Sequence, residues 1–155
     1  MSIAKIQAAR LREVVLDGRW VANTNFKEQL SDLSLEQAQQ TPSGFNSIAA
    51  LTFHIYYYLD GVLNVLHGGE LEIRDKYSFD MPALKTEADW QALQNKLYQC
   101  AEAYAQQLEQ LTGEQLLSGF VRPEYGTWLR NMEGMIEHCY YHLGQVVLIK
   151  KMLSN

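Results

Sequence analysis

The feature that most constrains the fold is a regular apolar seam between Thr86 and Thr112. Its members recur every three or four residues, which is the period of one face of a helix and not of a strand. They are Trp90, Leu93, Leu97, Cys100, Tyr104, Leu108 and Leu111. A seam of this kind is typical of helices that pack side by side in a bundle. No stretch of the chain alternates well enough to indicate a strand, so the sequence predicts an all-α fold.

Three further stretches show the helical period, at residues 2–16, 46–67 and 127–153. Shorter helical turns are expected between residues 20 and 40 and after Thr112. Residues 70–85 are expected to form an ordered crossover loop, in which residues 76–81 are the one stretch with an extended pattern. All prolines fall between the long stretches and not inside them. We therefore predict a single domain, residues 1–155, built as a four-helix bundle with short additional helical turns. The first helix is expected to bury Ile3, Ile6, Leu11, Val14 and Val15.

Composition argues against several classes of partner. The 155 residues carry a formal net charge of −5, so there is no basic surface for nucleic acid. The longest apolar run, residues 48–66, is interrupted by His54, Asp60 and Asn64 and is a poor membrane span. Two cysteines give neither a disulfide framework nor a C-x-x-C motif. We expect a cytoplasmic protein that binds neither nucleic acid nor membrane.

A histidine pair lies in the last helical stretch. His138 and His142 are four residues apart, so both side chains lie on one face of the helix, in line with Gln145 and Asn131. The face is otherwise apolar, and each buried polar group left without a partner costs about 1–3 kcal/mol. Two imidazoles at this spacing can hold one metal ion. The alternative is a pair of core histidines with hydrogen-bonded partners.

A third histidine falls at an inward position on another helix. His54 lies in the middle of the apolar face of residues 46–67, where the small residues Ala50 and Gly61 are expected to leave room around its ring. If the second and last long helices are neighbours, His54 joins the pair. Such a set could accept zinc, nickel, iron or manganese and would leave coordination positions open. Three core histidines bonded to tyrosines, without metal, remain the alternative.

Two segments resemble those of a known family. The run from Gly134 to Gln145 resembles the last-helix signature of the DinB/YfiT-like metal-binding bundles, in which a histidine pair four apart precedes a Gly-Gln step. Residues 46–54, with a serine-isoleucine start before a single histidine, are similar to the family's second-helix signature. The Asp17-Gly18-x-Trp20 pattern is similar as well. Leu143 departs from the family, since many members carry arginine before the Gly-Gln step.

The resemblance spans most of the chain and has definite implications. It implies a four-helix bundle that forms a homodimer. It also implies that His54, His138 and His142 hold a divalent metal. Zinc and nickel are the metals expected first in this site, followed by iron and manganese. From their positions near the histidines, Gln145, Tyr58 and Tyr141 are candidates to contact the ligands or a bound substrate. The alternative is that the amide and the phenols only pack between helices.

Characterised members of the family indicate the chemistry to expect. They include transferases that join low-molecular-weight thiols to electrophiles. The resemblance therefore implies a thiol-dependent S-transferase acting on a small-molecule electrophile, with the thiol as cosubstrate. The alternatives are a metal-dependent hydrolase and a non-catalytic bundle whose structural or vestigial metal serves binding of a ligand or partner. A structural site would be closed by a fourth ligand, for which the acidic candidates are Glu137, Glu70 and Asp60.

Overall fold

The computed structural model describes residues 2–154, and this part of the chain is helical and contains no β-strand. Only an isolated antiparallel bridge pairs Gly119 with Thr127. The α-helices in chain order are α1 (Ile3–Arg12), α2 (Phe26–Leu30), α3 (Leu35–Gln39), α4 (Ile48–Leu66), α5 (Glu87–Glu109), α6 (Gly113–Leu117) and α7 (Trp128–Leu153). A π-helical turn, Glu13–Asp17, prolongs α1, and short 3-10 turns occupy Pro42–Gly44, Asp75–Tyr77 and Pro123–Tyr125. The all-α prediction is confirmed.

Helix starts follow the capping residues in the sequence. The hydroxyl groups of Ser34, Thr86 and Thr112 each accept a hydrogen bond from the third residue of the helix that follows. The side chain of that third residue bonds back to the cap, which completes a capping box in each case. Ser47 caps α4 and Thr127 caps α7 in the simpler way. These polar starts define the long helices that carry the histidines.

The seam on α5 lies at the centre of the core. Helix α5 packs against α4 and α1, and α4 packs in turn against α7. Trp90 is buried and its indole N–H donates to the carbonyl of Leu33, 2.9 Å away. Tyr104 is fully buried, with its hydroxyl 3.0 Å from the sulfur of Met132 on α7. Contact between α4 and α7 meets the condition on which the sequence prediction of a three-histidine group depended.

The first helix buries different residues from those expected. Leu11, Val14 and Val15 are buried as predicted, but Ile3 and Ile6 remain 50% and 43% exposed. The other buried positions of α1 are held instead by two alanines and a glutamine: Ala4, Gln7 and Ala8. Arg12 orients this face because its guanidinium pairs with Glu102, 2.9 Å away, and with Glu109, both on α5.

The connection from α4 to α5 is the ordered loop that was expected, but it lacks an extended stretch. Residues 76–81 are not extended, since they continue from the 3-10 turn Asp75–Tyr77 into further turns. Gly61 does not leave room beside His54, because Ile73 from this connection fills the space. A Cβ at position 61 would lie 2.3 Å from Ile73 Cγ2. The connection is thus packed onto α4. Among residues 2–154, no helix combines the length and apolarity that a membrane crossing requires.

We predict that Gly61→Ala is destabilising relative to Gly144→Ala. Both glycines are helical, and alanine raises helix propensity by about 1 kcal/mol at either site. At Gly144 an added Cβ meets nothing within 4 Å, whereas at Gly61 it must displace Ile73. The free energy of unfolding of Gly61→Ala should therefore fall below that of Gly144→Ala by about 1–3 kcal/mol. Equal values in urea titrations would contradict this packing.

Candidate metal centre

Three histidines from two helices converge on one point. His54 lies on α4, and His138 and His142 lie one turn apart on α7. The Nε2 atom of His138 is 3.1 Å from that of His54 and 2.9 Å from that of His142. Ligand atoms of all three lie within 4.8 Å of one another. His54 and His142 are buried, and His138 is half-buried.

Acceptors on the outer side of two rings define which nitrogens carry hydrogen. His54 Nδ1 lies 3.3 Å from the carbonyl oxygen of Ser78, and His142 Nδ1 lies 2.6 Å from Oε1 of Gln145. Carbonyl and amide oxygens only accept, so both Nδ1 atoms donate. In a neutral imidazole the other nitrogen is then bare. Two unprotonated Nε2 atoms therefore face His138.

Hydrogen bonds among the three rings cannot satisfy all of their Nε2 atoms at once. His138 Nε2 carries at most one hydrogen, which can point to only one of the two facing lone pairs. A cation placed between the three nitrogens would accept all of their lone pairs at once. Nitrogen ligands 2.0–2.1 Å from a tetrahedral ion lie about 3.3 Å apart, which is close to the 2.9 and 3.1 Å separations found here. The residues present fit a divalent metal ion.

Burial keeps the imidazoles in the form that a metal needs. Removal from water, followed by the neighbouring His142, lowers the pKa of His54 to about 4. Burial, followed by His142 and His54, likewise lowers the pKa of His138 to about 4. The pKa of His142 is also lowered by burial. All three rings are neutral at pH 7, so each can offer a lone pair without first losing a proton.

Aromatic rings surround the histidine group. Tyr58 contacts His54 and His138 edge-on, with ring centroids 5.0 and 5.2 Å away. Its hydroxyl donates to Asp75 Oδ1 over 2.8 Å, and burial together with that bond raises the pKa of Tyr58 to about 12. Phe79 stacks on the His54 ring at 4.1 Å. The phenol stays protonated at neutral pH, and the rings limit the directions from which water reaches the nitrogens.

Gln145, Tyr58 and Tyr141 each contact a histidine of the group, in different ways. Gln145 accepts from His142, and Tyr58 packs against two of the histidines. Tyr141 packs edge-on against His142 at 4.9 Å but is 65% exposed, so it covers the group from the solvent side.

Three contributors from the connection before α5 were missed by the sequence analysis. They are Asp75, the carbonyl of Ser78, and Phe79. A main-chain carbonyl leaves no signal in residue type, and the turn that presents it was expected to be extended. An aspartate and a phenylalanine in a long connection also give no recognisable spacing.

Neither the cysteines nor the acidic candidates join the histidine group. Cys139 is fully buried and burial raises its pKa to about 12, so it is a core thiol. Glu137 is exposed and lies 3.5 Å from Arg130, while Glu70 and Asp60 are exposed elsewhere. In the part of the chain that the structure describes, the group consists of the three histidines without a carboxylate.

Comparison with known families agrees with this geometry. A family model described as the DinB superfamily matches residues 21–146, which include the three histidines and Gln145. The chain belongs to the DinB superfamily. Searches of curated proteins and of solved structures found no match for this DinB-superfamily protein. The family assignment therefore rests on most of the chain, and the centre on the contacts described above.

We predict that Gln145→Leu weakens metal binding. The variant removes the acceptor that holds the His142 Nδ1 hydrogen, and the loss of such a partner costs about 10–100-fold in metal affinity. Competition titration with a chelator would measure the change. Tyr141→Phe is the matched control, because it removes only a hydroxyl from an exposed ring beside the same histidine. An unchanged dissociation constant in Gln145→Leu would contradict a role for this contact.

Proposed function

We propose that this protein is a metal-dependent enzyme, a thiol-dependent S-transferase acting on small electrophiles. We further propose that it forms one DinB-like four-helix-bundle domain over residues 1–155. The observation that carries the catalytic proposal is the histidine group itself. It offers three neutral nitrogens to one ion, with no carboxylate among the described residues to fill a fourth position. Three protein ligands with an open position are typical of catalytic metal sites.

The protein's own residues would hold and orient the centre. His54, His138 and His142 would bind the ion through their Nε2 atoms. Gln145 and the Ser78 carbonyl keep two of the rings in the required tautomer. When bound, a divalent ion lowers the pKa of a thiol or water at its open position and so supplies a nucleophile near pH 7.

Tyr58 is the neighbouring group most suited to assist. Its hydroxyl is held by Asp75, and its ring touches His54 and His138, so its position relative to the centre is well defined. Because its pKa is raised to about 12, it would remain a neutral phenol. We propose that it orients the substrate and does not act as a base.

The proposal also covers the metal, the oligomeric state and the cellular compartment. Zinc or nickel suits an all-imidazole set, and iron or manganese could also be accepted. A homodimer in the cytoplasm is proposed from the family resemblance. Two unpaired cysteines, Cys100 and Cys139, agree with a reducing compartment.

Metal-dependent hydrolysis is the second candidate. A metal-bound water requires the same three-histidine set as a metal-bound thiol, so the ligands favour neither reaction. A metal with a structural or vestigial role, serving only the binding of a ligand or partner, is the non-catalytic alternative.

The proposal predicts thiol transfer that depends on the bound metal. Protein loaded with zinc or nickel would be assayed with cysteine or glutathione as thiol and 1-chloro-2,4-dinitrobenzene as electrophile. We expect a rate above the uncatalysed reaction that a chelator removes and added metal restores. His138→Ala should reduce the rate to that of the chelated protein. Hydrolysis of 4-nitrophenyl acetate without thiol tests the second candidate.

His67→Ala supplies a matched control for these assays. His67 is an exposed histidine at the end of α4 and is outside the histidine group. This variant should keep the full rate. If no thiol gave a metal-dependent rate, S-transfer would be ruled out for these substrates, and metal-dependent hydrolysis alone would favour the second candidate.

A further inference from the structure

A cleft of about 450 Å³ adjoins the histidine group. It lies between α4, α7, the connection before α5 and the turn that precedes α7. Tyr58 and His138, which belong to the candidate metal centre, form one end of the cleft. Sites for small organic ligands usually measure about 300–1,000 Å³. The cleft is therefore large enough for a substrate part that extends away from the metal.

The walls of the cleft beyond the centre combine an apolar side with a polar edge. The apolar lining side chains come from four parts of the fold: Val62, Leu71, Ile73, Phe120 and Met135. Ile73 is held in place by its close packing on Gly61. Charged residues of both signs, Asp75, Glu124 and Arg130, also line the cleft and are exposed, so its edge does not select one net charge.

Gly134 contributes open space to this cleft. It lies on α7 one turn before His138 and lines the same cavity. Glycine is among the poorest helix formers, so a helical glycine usually reflects close packing or a functional need. Packing does not require it here, because an added Cβ would meet no atom within 4 Å. Because Gly134 has no side chain, the volume beside His138 stays unfilled.

We propose that this cleft binds an apolar group of the substrate, either a chain of several carbons or a single aromatic ring, and that Gly134 determines its size. The group would be attached to a polar head that reaches the metal. The position of the polar head at the metal rests on the proposed function. Binding of the apolar group depends only on the residues that line the cleft.

Hydroxamates of increasing size test the proposal, since their common head binds divalent metals. Dissociation constants of acetohydroxamate, hexanohydroxamate and benzohydroxamate would be measured by calorimetry on zinc- or nickel-loaded protein. Each fully buried methylene strengthens binding about fourfold. Because the cleft is open on one side, we expect at least about a tenfold gain from acetohydroxamate to hexanohydroxamate, and a similar gain for benzohydroxamate.

Two glycine variants on α7 distinguish filling of the cleft from the general effect of replacing a helical glycine. Gly134→Leu places a side chain in the cleft and should remove the gain for the larger hydroxamates while leaving acetohydroxamate binding unchanged. Gly144→Leu makes the same change at an exposed position on α7, where an added Cβ also meets nothing. This control should keep the full gain.

A measurement without metal tests the cleft proposal independently of the metal-centre proposal. Benzyl alcohol titrated into chelated, isotope-labelled protein should shift the amide resonance of Gly134, and Gly134→Leu should weaken that binding. If acetohydroxamate bound without a gain for larger probes, or if Gly134→Leu kept the gain, the inference would be overturned while the metal centre stood. If the protein bound no hydroxamate but bound benzyl alcohol at Gly134, the cleft would stand and the open metal position would fail. Binding of neither probe would overturn both.

Discussion

The packing of α4 against α7 is the interaction on which the centre depends. It brings His54 Nε2 within 3.1 Å of His138 Nε2, while acceptors behind His54 and His142 leave their lone pairs facing inward. Without a cation, one hydrogen must serve two acceptors in a buried site, which is an unfavourable arrangement. Violations of this kind in otherwise consistent folds are typical of functional sites. The same helix contact forms one side of the adjoining cleft, so the centre and the cleft share a single structural cause.

Local rules predicted much of this arrangement. The spacing of His138 and His142 requires only the helical repeat, so it needed no knowledge of tertiary structure. The inward position of His54 followed from the apolar face of its own helix. Caps such as Thr86 and Thr127 act within one turn, and both lie at the starts of long helices. What remained conditional was the pairing of the helices, because amphipathic faces indicate burial but not the neighbour against which they pack.

Predictions failed where tertiary packing or main-chain groups decide. Ile3 and Ile6 have the apolar character of core residues, yet they stay exposed while Ala4 and Ala8 on the same helix are buried. Gly61 was expected to leave space for an imidazole and instead accommodates Ile73, a residue far from it in sequence. The acceptor for His54 is the carbonyl of Ser78, which any residue could supply. Such contacts are set by the path of the connection before α5, and that path carries no periodic pattern.

The metal content of the protein is the most direct test of the three-histidine centre. Elemental analysis of untagged protein would be compared with that of a His138→Ala/His142→Ala variant whose helical circular dichroism shows that it is folded. We expect about one divalent ion per chain in the parent protein and none in the variant, because the site requires both histidines. A parent that retained no metal after incubation with zinc, nickel and manganese would contradict it, as would equal metal in the two proteins. The histidines would then be polar core residues, and the proposed enzyme activity would fail with them.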